Sequence, residues 1–341
     1  MKYIRGPQES ANSSASWRTP KPFYFMKHIF GILLLLVILP SCAQVQTPQS
    51  LPSVTPTVSE PVQTSTSTPI PVLLFPTNTP VACDPFIADY CIIDGHFFLR
   101  RPVKPPANDS VDSTYRYGST ANGTRDPHHG VELVNEYGTP VYAAADGKVI
   151  FAGPDEEAVY SPWANYYGNL VVIKHADGLF TLYAHLSKIN IQVNQEVLAG
   201  DKIGEVGSTG VAIGSHLHFE VRYGNVEDYF STKNPELWLA PSKDESGDLS
   251  GTLMISIVDQ RFGFQYAEFT INYYPDPNRP QAKSYYVSTY ARDMMTGDEN
   301  AVLGDLPSGH YRIALEYNGG HYERRVEVES GKLTQVVLFV K

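Results

Sequence analysis

Short β-prone runs, each bounded by Gly, Asp or Pro, recur through the middle of this chain, and helical periodicity is nearly absent there. The runs lie at 141–144, 148–151, 170–174, 179–185, 193–197 and 202–206. Asp146-Gly147 and Asp177-Gly178 separate two pairs of runs, and Asp-Gly is typical of a two-residue β-hairpin turn. The pattern predicts an all-β fold class, with a compact antiparallel β domain over residues 128–241.

A second series of strand-like runs follows at 253–258, 264–274, 311–317, 322–328 and 334–340. Regular short strands with turn residues between them favour a small β-sandwich, which we predict over residues 250–341. The stretch from Gly309 to Thr334 resembles the transthyretin-like and carboxypeptidase-regulatory-like sandwiches. We expect no chemistry in this domain, and we interpret His310 and His321 as surface histidines.

The N-terminal region carries a candidate export signal. A short cationic start at 26–28 precedes an apolar run of eleven residues, Ile29–Leu39, which is too short to span a bilayer comfortably. The run ends at Leu39-Pro40-Ser41-Cys42 and resembles a bacterial lipoprotein signal, in which the cysteine carries lipid. We therefore expect an extension and signal over 1–42 and an extracytoplasmic protein anchored to the bacterial cell membrane through Cys42. An uncleaved anchor is the alternative.

Between the signal and the first β domain, residues 43–81 are rich in Ser, Thr, Pro and Gln. Such a segment buries too little apolar surface to fold, and its prolines favour an extended tether on the order of 100 Å long. Residues 82–127 read as a loop-rich lead-in. Because disulfides persist outside the cytoplasm, we predict a Cys83–Cys91 bridge, with two free thiols as the alternative. The net charge of −10, with no basic block beyond the N-terminus, argues against a nucleic-acid partner.

Histidines are concentrated in the first β domain, where six of the ten lie between 128 and 218. In 216–221, His-Leu-His-Phe-Glu-Val, polar and apolar residues alternate. Side chains at i and i+2 share a strand face, so His216, His218 and Glu220 are predicted to face away from the core. In 128–132, His-His-Gly-Val-Glu, poor helix formers predict a turn into a strand and exclude a helix-borne H-E-x-x-H site.

Imidazole and carboxylate are common zinc ligands, so these two clusters predict a zinc site. His128 and Glu132 can both reach inward from the turn, and His129 is a competing ligand. Strand alternation over 179–185 predicts that Thr181, Tyr183 and His185 share one face.

Several motifs occur in a fixed order: His128-x-Gly130-x-Glu132, Gly138-Thr139-Pro140-Val141-x-Ala143-Ala144-x-Asp146-Gly147-x-Val149, Tyr167-Gly168-Asn169, Tyr183-Ala184-His185-Leu186, Gly204-x-Val206-Gly207-x-Thr209-Gly210 and Gly214-Ser215-His216-Leu217-His218-Phe219-Glu220. Over about residues 115–238 the chain strongly resembles the lysostaphin and LytM type of zinc metallopeptidases, also called the β-lytic family. Members cut peptide bonds in bacterial cell-wall peptidoglycan, and they share a compact antiparallel β fold with a groove over the zinc.

The resemblance implies three Zn²⁺ ligands, His128, Glu132 and His218, and two catalytic histidines, His185 and His216. The family usually has Asp where this chain has Glu132, and zinc accepts either carboxylate. Three ligands leave one position for water, which becomes the nucleophile when the ion lowers its pKa.

In this scheme His216 is the general base, and His185 donates to the developing oxyanion. Glu220 either orients a histidine or forms a salt bridge at the rim. We interpret His175 as structural. Three tyrosines either line the groove or pack loops: Tyr117, Tyr166 and Tyr167.

The function implied is a zinc-dependent endopeptidase acting on peptidoglycan peptides. The alternative is a non-catalytic wall-binding module of the same type that activates another hydrolase. A purely structural zinc site is a third interpretation, and it predicts four protein ligands with no open position.

Overall fold

Strands and loops make up nearly all of the computed structural model, which describes residues 82–243, 247–295, 297 and 299–341. The predicted signal with Cys42 and the predicted tether over 43–81 lie outside the described residues. Three short 3-10 turns, Ala176–Gly178, Pro235–Leu237 and Arg292–Met294, are the helical elements of the described part. None of its helices is long and apolar enough to cross a membrane. The all-β prediction is confirmed.

Ten strands, numbered in chain order, build the first half of the described molecule. Seven form one sheet: β2 (Val131–Val134), β4 (Gly147–Pro154), β5 (Asn169–Lys174), β6 (Leu179–Ala184), β8 (Glu196–Val197), β10 (His216–Tyr223) and β11 (Thr232–Lys233). Three form a smaller sheet: β3 (Pro140–Tyr142), β7 (Lys188–Ile189) and β9 (Lys202–Glu205). The larger sheet runs β11-β10-β6-β5-β4-β8, and β2 pairs with the first half of β10.

The two predicted hairpins have different outcomes. β5 and β6 pair around a turn in which Asp177 and Gly178 take left-handed φ values of 55° and 75°, as an Asp-Gly turn requires. The other prediction is wrong, because β3 pairs with β9 while β4 pairs with β5 and β8. Ala143 and Ala144 are fully buried after β3, and the Ala143 amide donates to the Asp201 carbonyl, so the chain crosses between sheets there.

Eight strands form the remaining two sheets: β1 (Cys91–Ile93), β12 (Gly251–Val258), β13 (Glu268–Tyr274), β14 (Lys283–Ser288), β15 (Ala301–Leu306), β16 (Gly309–Tyr317), β17 (Gly320–Val328) and β18 (Leu333–Phe339). The sheets run β1-β18-β12-β15 and β14-β13-β16-β17, and apolar side chains of both pack into one buried cluster. β1 comes from the predicted lead-in and pairs with β18, and Cys83 and Cys91 form a disulfide beside it.

The two halves of the described part share buried contacts. Tyr290 and Val302 from the second half pack in the same apolar cluster as Tyr117 from the first. Arg101 forms an ion pair with Asp305, and both side chains are about nine-tenths buried. These contacts hold the segment that precedes the predicted metal ligands against the second half.

Candidate metal centre and active site

The register between β2 and β10 places Glu132 directly opposite His218. Along β10, Leu217, Phe219 and Val221 are fully buried in the main apolar cluster, as strand alternation predicts. His218 and Glu220 therefore project from the other face. Their side chains contact each other, with Nε2 of His218 3.1 Å from Oε1 of Glu220.

Three side chains converge at the predicted metal site. Nε2 of His128 lies 2.9 Å from Oε1 of Glu132 and 3.2 Å from Nδ1 of His218, and the last two atoms are 3.2 Å apart. Donors at about 2.0–2.1 Å from a tetrahedral Zn²⁺ are about 3.3 Å from one another. The spacing of this trio therefore suits a zinc ion, although the two imidazoles come from positions far apart in the chain.

Gly130 makes this approach possible. A Cβ atom at Gly130 would lie 2.5 Å from the Phe219 carbonyl oxygen and 2.8 Å from Nε2 of His218. His128 is fixed from the other side, because its Nδ1–H donates to the Tyr115 carbonyl at 3.0 Å and its ring stacks on Tyr115. The Nε2 atom of His128 consequently faces Glu132 and His218.

A fully buried network holds the far side of His218. Glu220 accepts hydrogen bonds from Tyr167 Oη at 2.6 Å and from Nε of Arg222 at 2.8 Å, and none of these side chains is exposed. The rim salt bridge is therefore the wrong interpretation of Glu220, which orients the His218 ring. Arg222 was not predicted as a site residue, although alternation along β10 puts it on the same face as Glu220.

The electrostatics of the trio favour a bound cation. Burial alone would raise the pKa of Glu132, but the imidazoles of His218, His128 and His216 hold it well below its usual value. Burial would likewise lower the pKa of His218, yet the carboxylates of Glu132 and Glu220 raise it to about 10. Oε2 of Glu132 is buried and makes no hydrogen bond, although Nε2 of His216 is 2.8 Å away. The donor set fits zinc.

His185 and His216 lie beside the trio. Their ring centroids are 4.9 Å apart, and the His185 ring is 5.6 Å from that of His218. Nδ1 of His185 donates to the Thr209 carbonyl at 2.8 Å, and Nδ1 of His216 faces the Gly214 carbonyl at 3.2 Å. His185 therefore presents Nε2 as its free nitrogen, whereas Nε2 of His216 faces Oε2 of Glu132 at 2.8 Å.

His185 does not reach the site by strand alternation, so that prediction is wrong. Tyr183 pairs with Phe219 on the core side, whereas Ala184 pairs with His218. β6 ends at Ala184, and His185 takes a left-handed φ of 61°, which redirects its side chain. This conformation is uncommon for a residue other than glycine and points to a functional constraint.

The remaining candidates are outside the trio. His129 is buried, stacks on Tyr229 and contacts Thr232. His175 bridges the Asp146 carbonyl and Thr181, which agrees with a structural role. Among the tyrosines, Tyr117 is buried against Tyr290, and Tyr167 donates a hydrogen bond to Glu220. Both therefore pack internally. Tyr166 contacts the half-exposed Trp163.

Residues 126–229, which contain the trio and both flanking histidines, match the model of Peptidase family M23. Over this stretch the chain is therefore similar to members of peptidase family M23. The M23 segment is thus the part of the chain that carries the site, and the strands β12 to β18 lie outside it.

Several known proteins are similar to this chain over about a third of its length. Cell division protein DipM of Caulobacter vibrioides is 40% identical over 118 residues, which is 34% of this chain and 18% of DipM. The DD-carboxypeptidase/endopeptidase Mpg of Neisseria meningitidis is 45% identical over 95 residues, 28% of this chain and 20% of Mpg. The murein hydrolase activator NlpD of Escherichia coli is 36% identical over 118 residues, 35% of this chain and 27% of NlpD. The chain thus spans at most about a quarter of these relatives.

Among solved structures, a mutant catalytic domain of the prophage-encoded M23 protein EnpA from Enterococcus faecalis is similar, with 29% identity and a TM-score of 0.33. The match covers 39% of this chain and 92% of the EnpA chain.

Proposed function

We propose that this protein is a zinc-dependent endopeptidase that cleaves peptide bonds in bacterial cell-wall peptidoglycan. The convergence of His128, Glu132 and His218, with His185 and His216 beside them, carries the proposal. A family relative, Mpg, is named a DD-carboxypeptidase/endopeptidase, which supports the same reaction class.

Nε2 of His128, Oε1 of Glu132 and Nδ1 of His218 would hold the ion, because these atoms are 2.9–3.2 Å apart. The chemistry that zinc supplies when bound is acidification of a water molecule and polarisation of a carbonyl group. Glu220 keeps the Nε2–H of His218 engaged, so that Nδ1 is the nitrogen free for ligation.

His216 is positioned to accept a proton. Its Nδ1 faces the Gly214 carbonyl at 3.2 Å, and its Nε2 lies beside the trio, 2.8 Å from Oε2 of Glu132. With Glu132 engaged by the ion, this nitrogen would be available to the water proton. A base beside the trio can take the proton of the attacking water as the peptide carbonyl is attacked, and later return it to the leaving amine.

The geometry favours a proton-accepting role for His185 as well, rather than the oxyanion donor expected from the sequence. Burial, together with the neighbouring His218 and His216, lowers the pKa of His185 to about 3, so the ring is neutral near pH 7. With its single hydrogen on Nδ1 donated to Thr209, the ring offers Nε2 only as an acceptor. We propose that His185 orients the attacking water.

The test is digestion of purified peptidoglycan by the full-length protein, with fragments identified by mass spectrometry. Chelator should abolish release, and His216→Ala or His185→Ala should reduce it by about 10²-fold or more while zinc content is retained. His96→Ala, which changes an exposed histidine outside the trio and outside the flanking pair, is the matched control and should digest normally. Digestion that survives both chelator and His216→Ala would refute the proposal.

A second candidate is a module that activates another wall hydrolase. Glu132 in place of the usual Asp, and the 36% identity to the activator NlpD, favour it. It predicts no release by the protein alone, and enhanced release when a second wall hydrolase is added. That enhancement should be insensitive to His216→Ala, whereas the endopeptidase proposal predicts loss of activity with the same variant.

We also propose that the protein works outside the cytoplasm, anchored by lipid on Cys42. The apolar run that ends at this cysteine supports the placement. Mass spectrometry of the mature N-terminus tests it, and a protein that retains Met26 would contradict it.

A further inference from the structure

A cleft of about 1000 Å³ lies between residues 113–122 of the first half and the sheet formed by β14, β13 and β16. We propose that this cleft binds an uncharged carbohydrate, namely the N-acetylated sugar backbone of the wall polymer. The identity of that sugar rests on the proposed function; the existence of a carbohydrate site does not. Its volume is at the upper end of the range of small-ligand pockets, which suits several sugar rings.

Unsatisfied and half-exposed polar groups line the cleft. Asn272 is 9% exposed, and its Oδ1 makes no hydrogen bond, which leaves a buried acceptor in need of a donor. Hydroxyl side chains line the same cleft on both walls: Ser113, Ser119, Thr270, Ser284 and Ser288. Hydroxyl and amide groups can each both donate and accept hydrogen bonds, as sugar hydroxyl and acetamido groups also do.

Charges in the cleft do not select an ion. Arg116 is paired with the buried Glu236, Arg312 lies 2.6 Å from Glu323, and the Nδ1 atom of His321 lies 2.6 Å from Glu316. The two other charged lining residues, Glu268 and Lys283, have opposite signs. A cleft whose charges are compensated in this way favours a neutral polar ligand over a phosphate or a polyanion.

Tyr286 provides an aromatic surface at the cleft. Its side chain is 87% exposed, although it lies on a strand and is directly opposite Thr270 in the register of β13 and β14. An exposed tyrosine beside hydrogen-bonding groups offers an apolar face and a polar tip, and the C–H face of a pyranose ring packs on such a surface. The hydroxyl of Thr270 is then available to the same sugar.

The cleft and the metal centre share a wall. The segment 113–122 lines the cleft, and within it Tyr115 and Ser119 fix His128 through their carbonyl groups, at 3.0 Å from Nδ1 and 3.0 Å from the backbone nitrogen. A glycan seated in the cleft would therefore place its attached peptide near the trio. This arrangement gives the second half of the molecule a substrate-holding role.

The experiment titrates the full-length protein with the tetramer of N-acetylglucosamine, by calorimetry and by NMR. Saturable binding is expected, weakened about tenfold by Tyr286→Ala. Thr270→Val replaces the hydroxyl by a methyl group, and combining it with Tyr286→Ala should weaken binding further. Tyr137→Ala removes another exposed tyrosine, on the M23 side and outside the cleft, and should leave affinity unchanged.

Because binding is measured without hydrolysis, an inactive endopeptidase leaves this result intact. The three cleft variants should also cleave a sugar-free stem peptide at the normal rate, which separates glycan holding from chemistry. No saturable sugar binding, or binding that none of the three cleft variants weakens, would overturn the proposal. So would binding of the stem peptide alone with shifts in the β14 amide resonances, since β14 is an edge strand that a peptide can extend.

Discussion

Glu220 and Arg222 form an ion pair from which water is excluded, and the cost of breaking it follows from that burial. Both side chains are 0% exposed, with Nη2 of Arg222 2.7 Å from Oε2 of Glu220. The perturbations are Glu220→Gln, which keeps the shape and removes the charge, and Arg222→Met, which keeps the aliphatic stem. Each leaves the other charge buried without its partner.

An uncompensated buried charge costs about 3–5 kcal/mol, against a total stability of about 5–15 kcal/mol for a typical domain. Arg222 also donates to the Tyr160 and Val226 carbonyls, and leaving such acceptors unpaired adds about 1–3 kcal/mol. In the double variant no charge remains, so it should cost less than the sum of the single variants by at least about 2 kcal/mol.

The assay is urea unfolding followed by circular dichroism and tryptophan fluorescence, with chelator present so that metal binding does not contribute to stability. Glu323→Gln is the matched control. It breaks the Arg312–Glu323 pair, whose side chains are 31% and 29% exposed, and should cost no more than about 1 kcal/mol.

The reasoning would be refuted if the double variant lost as much unfolding free energy as the two single variants together. It would also be refuted if Glu220→Gln lost as little as Glu323→Gln. Either result would mean that water or a backbone shift satisfies Arg222 when its carboxylate is lost. The burial of the pair would then say little about its contribution to stability.

Three further predictions follow from the site and the contact between the halves. Glu132→Gln keeps the shape but removes the charge of the trio, so zinc affinity measured by chelator competition should fall at least about tenfold; unchanged affinity would exclude Glu132 as a ligand. Gly130→Ala should lower stability by about 1–3 kcal/mol, because its Cβ would lie 2.5 Å from the Phe219 carbonyl, whereas Gly153→Ala meets nothing closer than 4.0 Å; equal melting temperatures would contradict this. Burial alone would raise the pKa of Asp305, but Arg101 holds it below its usual value, so this carboxylate stabilises the fold above about pH 4 and the contribution is lost as pH falls through its folded-state pKa. Asp305→Asn should therefore destabilise by about 3–5 kcal/mol near pH 7 and by much less in acid, and a pH-independent difference in unfolding free energy would contradict the pairing.

Strand alternation was the most reliable guide in the sequence. It predicted the faces of β10 correctly, with Leu217 and Phe219 in the core and His218 and Glu220 opposite. The period of two belongs to the backbone itself, so it holds wherever a residue lies inside a strand. It failed for His185, which lies one residue past the end of β6, where a left-handed φ replaces the extended conformation.

Pairing between strands could not be read from local patterns. Asp146-Gly147 looks like a hairpin turn, yet its flanking strands lie in different sheets. β1, β14 and β15 were missed. β1 is three residues long, β14 is an edge strand rich in polar and exposed residues, and β15 contains Gly304 and Asp305, which are uncommon in strands. Their positions depend on partners far along the chain, which turn chemistry does not encode.

The sequence by itself determined the all-β architecture and the donor chemistry, since periodicity and side-chain type are local properties. Only the tertiary structure decided that His128, Glu132 and His218 meet within 3.2 Å, that Arg222 supports Glu220, and that a polar cleft opens beside residues 113–122. Each of these depends on the register between strands that are distant in the chain. Register is set by the simultaneous packing of the whole core, and no single segment carries that information.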